Sequence, residues 1–163
     1  MKKSITINLI DSRVHFRLYN PISIWFCKNT LLRSTDRKLN IVGGDVNPKA
    51  VELANLHAKL AGVDGYVKFN LRKAQDFVTK QSYGVNISNP PYGERIGDEQ
   101  EVRQLSKDMG ALYKKLDKWN FYFLSPNQDF ERDFGRRADK KRFIYNAGIK
   151  CSFYSFNGPK PKK

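Results

Sequence analysis

The sequence predicts an α/β fold with a Rossmann-like, mostly parallel sheet, helices on both faces and an antiparallel hairpin at the C-terminal end. Three observations predict it. Strand-like and helix-like stretches alternate from residue 38 onward, two helical stretches carry apolar stripes, and the last strand-like stretch turns back at an Asn-Ala-Gly sequence. Alternating strands and helices are typical of doubly wound sheets, and a closing hairpin adds an antiparallel pair.

The first β–α unit lies at residues 38–62. A β-rich stretch ends in Gly-Gly-Asp, Asn47 is a favourable N-cap and Pro48 a favourable first helical residue. Gly62 can end the helix. Its apolar stripe comprises Val51, Ala54, Ala58 and Ala61, with Leu53, Leu56 and Leu60 beside it.

The rest of the chain continues the alternation. Period-two patterns predict strands and a 3.6-residue period predicts a second helix. In chain order these are strands at 66–71 and 83–88, a helix at 99–116, a strand at 120–125 and a hairpin within 142–156. Near the N-terminus, residues 5–11 would make a first strand.

Composition limits the function classes. With 163 residues, 40% of them apolar, the chain is long enough for one domain with a core, and it has no apolar run that could span a membrane. Cys27 and Cys151 lie far apart in the sequence and lack the spacing of metal ligands, so we expect neither a metal site nor a disulfide. Such cysteine usage favours a reducing, cytoplasmic setting.

The net charge of +14 is concentrated at the two ends. Residues 1–40 carry +6, residues 41–135 are neutral and residues 136–163 carry +8. The densest basic run is Arg136, Arg137, Lys140, Lys141 and Arg142. It predicts either phosphate contacts with a nucleic acid or a charged edge strand that resists aggregation.

Two polar residues mark the carboxyl ends of predicted strands, where ligands bind in doubly wound sheets. Asp45 follows two glycines, which let a ligand approach closely. Its carboxylate can accept hydrogen bonds from the ribose hydroxyls of an adenosine-containing cofactor. The alternative is a carboxylate that only favours the next helix N-terminus.

The second is Asn89, which opens the sequence Asn89-Pro90-Pro91-Tyr92. The amide oxygen and a proline carbonyl offer acceptors for an exocyclic amine, without competing N–H donors. Tyr92 offers a face on which an extruded base can stack. The alternative is an Asx-Pro turn with an incidental aromatic residue.

These residues carry a resemblance to a known family. The sequence NPPYGER at 89–95 resembles the fourth motif of amino-directed nucleic-acid methyltransferases, and residues 43–63, 88–110 and 137–151 extend the similarity. Together they resemble the THUMP-associated methyltransferases that modify guanine-N2 in large-subunit ribosomal RNA, often labelled adenine-N6 DNA methylases. The resemblance covers residues 39–156.

The resemblance implies a class I methyltransferase that uses S-adenosylmethionine and acts on RNA, with DNA as the second choice of partner. Asp45 would bind the cofactor, and Asn89, Pro90, Pro91 and Tyr92 would hold the target base. The alternatives are a catalytically silent remnant that at most binds RNA, or an adenine-N6 DNA methylase.

The chain departs from the family pattern in its first part. No glycine precedes Ile41, so the Gly-rich loop of the family's first motif is missing, and Lys73 stands where an acceptor for the adenine amine is usual, with Asp76 as the possible substitute. We therefore expect a divergent segment at 1–38, a methyltransferase core at 39–157 and a basic tail at 158–163. An incomplete middle of the sheet would expose strand edges and favour a homodimer.

Overall fold

The computed structural model describes residues 4–8, 40–90, 98–146 and 148–160. Its strands are β1 (Ser4–Asn8), β2 (Asn40–Asp45), β3 (Val67–Leu71), β4 (Gly84–Ser88), β5 (Asn120–Ser125), β6 (Lys140–Asn146) and β7 (Ile149–Phe156). Its helices are α1 (Pro48–Leu60), α2 (Asp98–Lys115) and α3 (Phe130–Phe134), with a 3-10 turn at Ala74–Asp76.

The seven strands form one sheet in the order β3-β2-β1-β4-β5-β7-β6. All pairs from β3 to β5 are parallel, and β7 is antiparallel to both β5 and β6. The predicted fold class, a mostly parallel sheet with an antiparallel C-terminal hairpin, is confirmed. Asn8 pairs with Gly44 on one side and with Ser88 on the other, so the carboxyl ends of β2, β1 and β4 are level.

The middle of the sheet is filled by β1, so the condition under which exposed central edges would favour a homodimer is not met. β1 pairs with both β2 and β4 along its whole length. Among the described strands only β3 and β6 are therefore edges, and the argument for a homodimer through exposed central edges falls away. The predicted first strand coincides with β1 at residues 5–8, while residues 9–11 lie outside the described part of the chain.

The first helix begins and ends as predicted. The Asn47 side chain accepts a hydrogen bond of 2.9 Å from the Lys49 backbone N–H, and Gly62 has a positive φ of 66° after the last turn. The stripe is narrower than predicted, because among the described elements α1 lies mainly against the two outer strands β2 and β3. Ala58 is its buried residue, and the leucines beside the stripe, such as Leu60 at 69% exposed, remain at the surface.

Most of the core lies on the opposite face of the sheet. The crossovers β2–α1–β3 and β4–α2–β5 run outward in opposite directions, so right-handed connections place α1 and α2 on opposite faces. Between the sheet and α2 and α3 lies an aromatic-rich cluster of Ala74, Phe77, Met109, Leu112, Trp119, Phe121, Phe123, Phe130, Phe134, Tyr154 and Phe156. The cluster packs β5 and β7 against α2 and α3.

The sequence pattern did not predict α3 or the 3-10 turn. Both are too short to show a 3.6-residue period, and α3 is held by Phe130 and Phe134, which are buried in the aromatic-rich cluster. Gly135, at φ 80°, ends α3 in the left-handed conformation. No helix in the described ranges is both long and apolar enough to cross a bilayer.

Candidate cofactor and base site

Asp45 is the last residue of β2 and its side chain is buried, at 5% exposed. One carboxylate oxygen, Oδ1, accepts a hydrogen bond of 2.7 Å from the Asn47 backbone N–H. Its backbone carbonyl accepts another, of 2.9 Å, from the Arg72 N–H. These contacts fix the carboxylate at the carboxyl edge of the sheet, just before α1 begins.

Asn89 and Pro90 follow β4 directly, at the same edge of the sheet. Asn89 is half-buried and Pro90 is buried. Pro91 and Tyr92, the other predicted base-binding residues, lie outside the described residues. The order of strands places Asp45 and Asn89 on either side of β1, two strand spacings or roughly 10 Å apart.

This position is the topological switch point of the sheet. From β1 the chain order runs outward through β2 and β3 on one side and through β4 and β5 on the other. The connections on the two sides lie on opposite faces, which leaves a crevice at the carboxyl ends of β1 and β4 where ligands bind in open α/β sheets. The two predicted polar residues thus stand on either side of the position where this rule expects a ligand-binding crevice.

Arg72, which sequence reasoning missed, lies beside Asp45. Its guanidinium packs against Gly44, where an added Cβ would stand 3.4 Å from Nε, and lies 4.8 Å from the centre of the Phe77 ring. Nε and Nη2 are buried and have no hydrogen-bond partner in the described part of the chain. Burial lowers the pKa of Arg72 below its ordinary value. The sequence signal that could have identified Arg72 is its position immediately after a predicted strand, next to Lys73, where the chain departs from the family pattern.

A second polar pair lies under the crevice on β4. Asn86 is fully buried and its Oδ1 accepts a hydrogen bond of 2.9 Å from the Ser88 hydroxyl. The Asn86 amide nitrogen has no partner among the described residues. Sequence alternation predicts the reverse of this arrangement, because Val85 and Ile87 are the apolar residues of β4, yet Ile87 is 41% exposed while Asn86 and Ser88 are buried.

Asp76, the predicted substitute for the missing adenine acceptor, lies in the 3-10 turn after β3 and is exposed. Lys73 is exposed beside it. Both follow the strand that neighbours β2, so they border the Asp45 side of the crevice. No group of three or more metal-ligating side chains occurs in the described ranges.

The predicted basic run does not form one surface. Arg136 pairs with Asp139 at 2.8 Å and contacts the Tyr113 hydroxyl, while Arg137 is exposed. Lys140 and Arg142 lie on one face of the edge strand β6, because they pair with Ser155 and Phe153 of β7. There they border a groove of about 270 Å³.

Lys141 points to the other face of β6. Its ammonium lies 3.4 Å from a carboxylate oxygen of Glu131 and 4.9 Å from the centre of the Tyr154 ring. Burial lowers the pKa of Lys141, but Tyr154 and Glu131 raise it by more, so the pKa lies above its ordinary value. Lys141 therefore serves a local ion pair.

The residues at the crevice fit the adenosine part of S-adenosylmethionine. A buried carboxylate at the end of β2 is an acceptor pair for two ribose hydroxyls. Val46, which follows it, is an exposed apolar residue on which an adenine ring can rest. The Arg72 nitrogens that have no partner in the described part of the chain lie on the same side. They are donors, and the ring nitrogens of adenine are acceptors.

Proteins with related sequences share most of the described chain. It is 38% identical over 121 residues to YpsC of Bacillus subtilis strain 168, named a putative RNA methyltransferase, an alignment that covers 74% of this chain and 31% of YpsC. It is 33% identical over 123 residues to ribosomal RNA large subunit methyltransferase K/L of Shewanella frigidimarina, covering 75% of this chain and 17% of that protein. The chain therefore spans about a third or less of the length of these relatives.

Solved structures show the same architecture. A possible methylase from Clostridium difficile 630 matches with a TM-score of 0.74 and 38% identity, over 85% of this chain and 37% of that one. SMU.472, a putative methyltransferase complexed with SAH, matches with a TM-score of 0.74 and 37% identity, over 88% of this chain and 38% of that one. The family described as "RMKL-like, methyltransferase domain" matches residues 5–155, and the chain belongs to it.

Proposed function

We propose that this domain transfers a methyl group from S-adenosylmethionine to an exocyclic amine of a nucleobase, namely N2 of a guanine in large-subunit ribosomal RNA. The observation that carries the proposal is the placement of Asp45 and Asn89 at the two sides of the switch point. The relatives named as RNA and ribosomal RNA methyltransferases support RNA as the substrate.

Asp45 holds the cofactor in this proposal. Its carboxylate accepts hydrogen bonds from the ribose hydroxyls, and Val46 packs against the adenine. Asp76, in the 3-10 turn after β3, accepts a hydrogen bond from the adenine amine. S-adenosylmethionine, when bound, supplies an electrophilic methyl group on a sulfonium sulfur.

Asn89 and Pro90 act on the nucleophile. The amide oxygen of Asn89 and the carbonyl oxygen of Pro90 each accept a hydrogen bond from one N–H of the target amine. Together they turn the lone pair of the amine toward the methyl group. The new N–C bond forms as the S–C bond breaks, and the amine then loses one proton to solvent. In this proposal Pro91 adds no competing N–H donor, and Tyr92 stacks on the extruded base.

Binding and transfer are tested separately. Titration calorimetry with S-adenosylhomocysteine on the wild-type chain and on Asp45→Asn measures the cofactor site. The asparagine retains an acceptor for the Asn47 N–H, so the fold is kept. Loss of charge-assisted bonds worth ~1.5–3 kcal/mol each predicts binding weaker by at least tenfold. Equal affinity would refute the role of Asp45.

Methyl transfer to ribosomal RNA is followed by mass spectrometry of the digested nucleosides. Asn89→Ala is expected to bind S-adenosylhomocysteine like the wild type and to transfer methyl about 100- to 1000-fold more slowly. Asn127→Ala is the matched control, because Asn127 follows the neighbouring strand β5 and its amide only caps a turn at Asp129. Methyladenine in DNA as the product would favour the alternative DNA methylase, and no cofactor binding at all would favour a silent remnant.

A further inference from the structure

The C-terminal hairpin projects beyond the carboxyl edge of the sheet. β7 pairs with β5 from Phe156 to Ser152, and Ser152 faces Ser125, the last residue of β5. Residues 149–151 of β7 continue past that point and pair only with β6. The end of β6 at Asn146 is three residues beyond the level of Ser125, which is about 10 Å.

The projecting part of β6 exposes two aromatic rings on one face. Phe143 is level with Ser125 and is 65% exposed, and Tyr145 lies two residues further along and is 75% exposed. Residues two apart on a strand point to the same side, with their side chains about 7 Å apart. These are the largest exposed fractions among the aromatic residues reported for the described chain.

Two lysine side chains adjoin the Phe143 ring. The Lys150 ammonium, across the hairpin on β7, lies 4.8 Å from the centre of the Phe143 ring, and that of Lys141 lies 5.9 Å from it. Lys141 is already paired with Glu131, whereas Lys150 has no ion pair among the described residues. The segment 136–163 that contains the hairpin carries nine Lys and Arg against one Asp.

We propose that Phe143, Tyr145 and Lys150 form a platform for single-stranded RNA beside the candidate active site. Bases stack on the two rings, and Lys150 contacts a phosphate between them. Aromatic rings next to cations in a strongly positive segment fit the flat bases and negative backbone of a single strand. An acidic protein surface would pair with Lys150 but would make little use of the two aromatic ring faces, so nucleic acid fits the chemistry better.

The platform lies within reach of the target base. β6 is three strands away from β4, which is roughly 14 Å, and the direction of β6 carries its rings toward the same edge as Asn89. A strand held by the platform would thus place a nucleotide a few positions away at Asn89. This proposal rests on the proposed function for its substrate, but RNA binding can be measured without any methyl transfer.

The test is fluorescence anisotropy of the full chain with a short fluorescein-labelled single-stranded RNA of mixed sequence. Base stacking worth ~1–3 kcal/mol per ring predicts that Phe143→Ala or Tyr145→Ala weakens binding by about 5- to 150-fold. Phe143→Tyr, which keeps an aromatic ring, should bind RNA like the wild type. Ile144→Ala is the matched control, since Ile144 is on the same strand but points to the opposite face. Thermal unfolding of each variant shows that the fold is retained.

Salt dependence tests the charged part of the platform. Lys150→Gln should reduce the slope of log affinity against log salt by about 0.7, as expected for one lost contact to a single strand. Lys114→Gln removes the same charge from the exposed surface of α2 and should leave RNA affinity unchanged. A duplex RNA of the same sequence should bind with little dependence on the two rings.

The outcomes separate this inference from the proposed function. If Phe143→Ala and Tyr145→Ala bind RNA like the wild type, the platform is refuted even where methyl transfer is found. If they lose RNA affinity in a chain that transfers no methyl group, the platform stands and the enzymatic proposal fails. Loss of a dimer, instead of RNA affinity, would show the rings to be a self-association surface and would overturn the inference.

Discussion

Gly110 lies where α2 crosses the end of α3, and a single methyl group there tests the packing that supports the site. A Cβ added at Gly110 would overlap the Phe134 carbonyl oxygen and lie 2.9 Å from its carbonyl carbon. Both atoms belong to the backbone, so relief requires α3 to move away from α2. Phe130 and Phe134, which are buried in the aromatic-rich cluster, would have to move with it.

The expected result is a net loss of stability. Alanine favours the helix over glycine by about 1 kcal/mol, whereas overpacking costs about 1–3 kcal/mol, and the upper value of about 3 kcal/mol applies here because backbone must shift. We expect Gly110→Ala to lower the free energy of unfolding by about 2 kcal/mol, which is about 4–8 °C in Tm for a chain of this size. The assay is thermal and urea unfolding followed by circular dichroism.

Gly65→Ala is the matched control, because an added Cβ there meets nothing within 4 Å. It should leave the Tm unchanged or raise it slightly. A Gly110→Ala protein with an unchanged or higher Tm would refute the reasoning, because α2 and α3 could not then meet at this residue.

Three further changes test other contacts. Gly84→Ala puts a Cβ 2.5 Å from the buried Trp119 ring and should lower the Tm, with a changed near-ultraviolet dichroism of that ring. Arg72→Met removes two buried nitrogens without partners and should raise the free energy of unfolding in urea by about 1 kcal/mol; a fall would show that the guanidinium is paired. The pKa of Lys141 is raised in the folded protein. Its contribution to the free energy of unfolding is therefore fully present below the unfolded pKa of about 10.4 and is lost as the pH rises through the folded pKa. Glu131→Gln removes a group that raises this pKa and should reduce the loss of stability at alkaline pH.

Elements that are specified locally could be predicted from the sequence. The Asn47 cap, the following proline and Gly62 delimit α1 within one residue, because each acts through its immediate neighbours. The outward leucines of α1 could not be predicted, since their exposure depends on how few strands lie beneath the helix. β6 begins two residues before the predicted hairpin, at Lys140, because pairing with β7 overrides the polar sequence there.

The candidate site divides in the same way. Asp45 and Asn89 could be singled out because each sits at the junction of a strand pattern and a turn pattern, where chemistry and local structure coincide in the sequence. The unpartnered Arg72 and Asn86 could not, because burial without a hydrogen-bond partner depends on residues far away in the chain. The basic run was recognised as a sequence feature, yet strand alternation sends Lys140 and Lys141 to opposite faces.

The projecting hairpin follows from unequal strand lengths. β5 ends at Ser125, while β7 contributes three more residues beyond it, and among the described strands these pair only with β6. Phe143 and Tyr145 are therefore covered by no helix or third strand in the described ranges, whereas Trp119, Phe121 and Phe123 are packed into the core. A folding role would require burial that the geometry does not provide. Exposed rings beside lysines at the edge that carries Asn89 are instead explained by a partner that supplies the missing surface, and a base of the substrate strand is flat enough to do so.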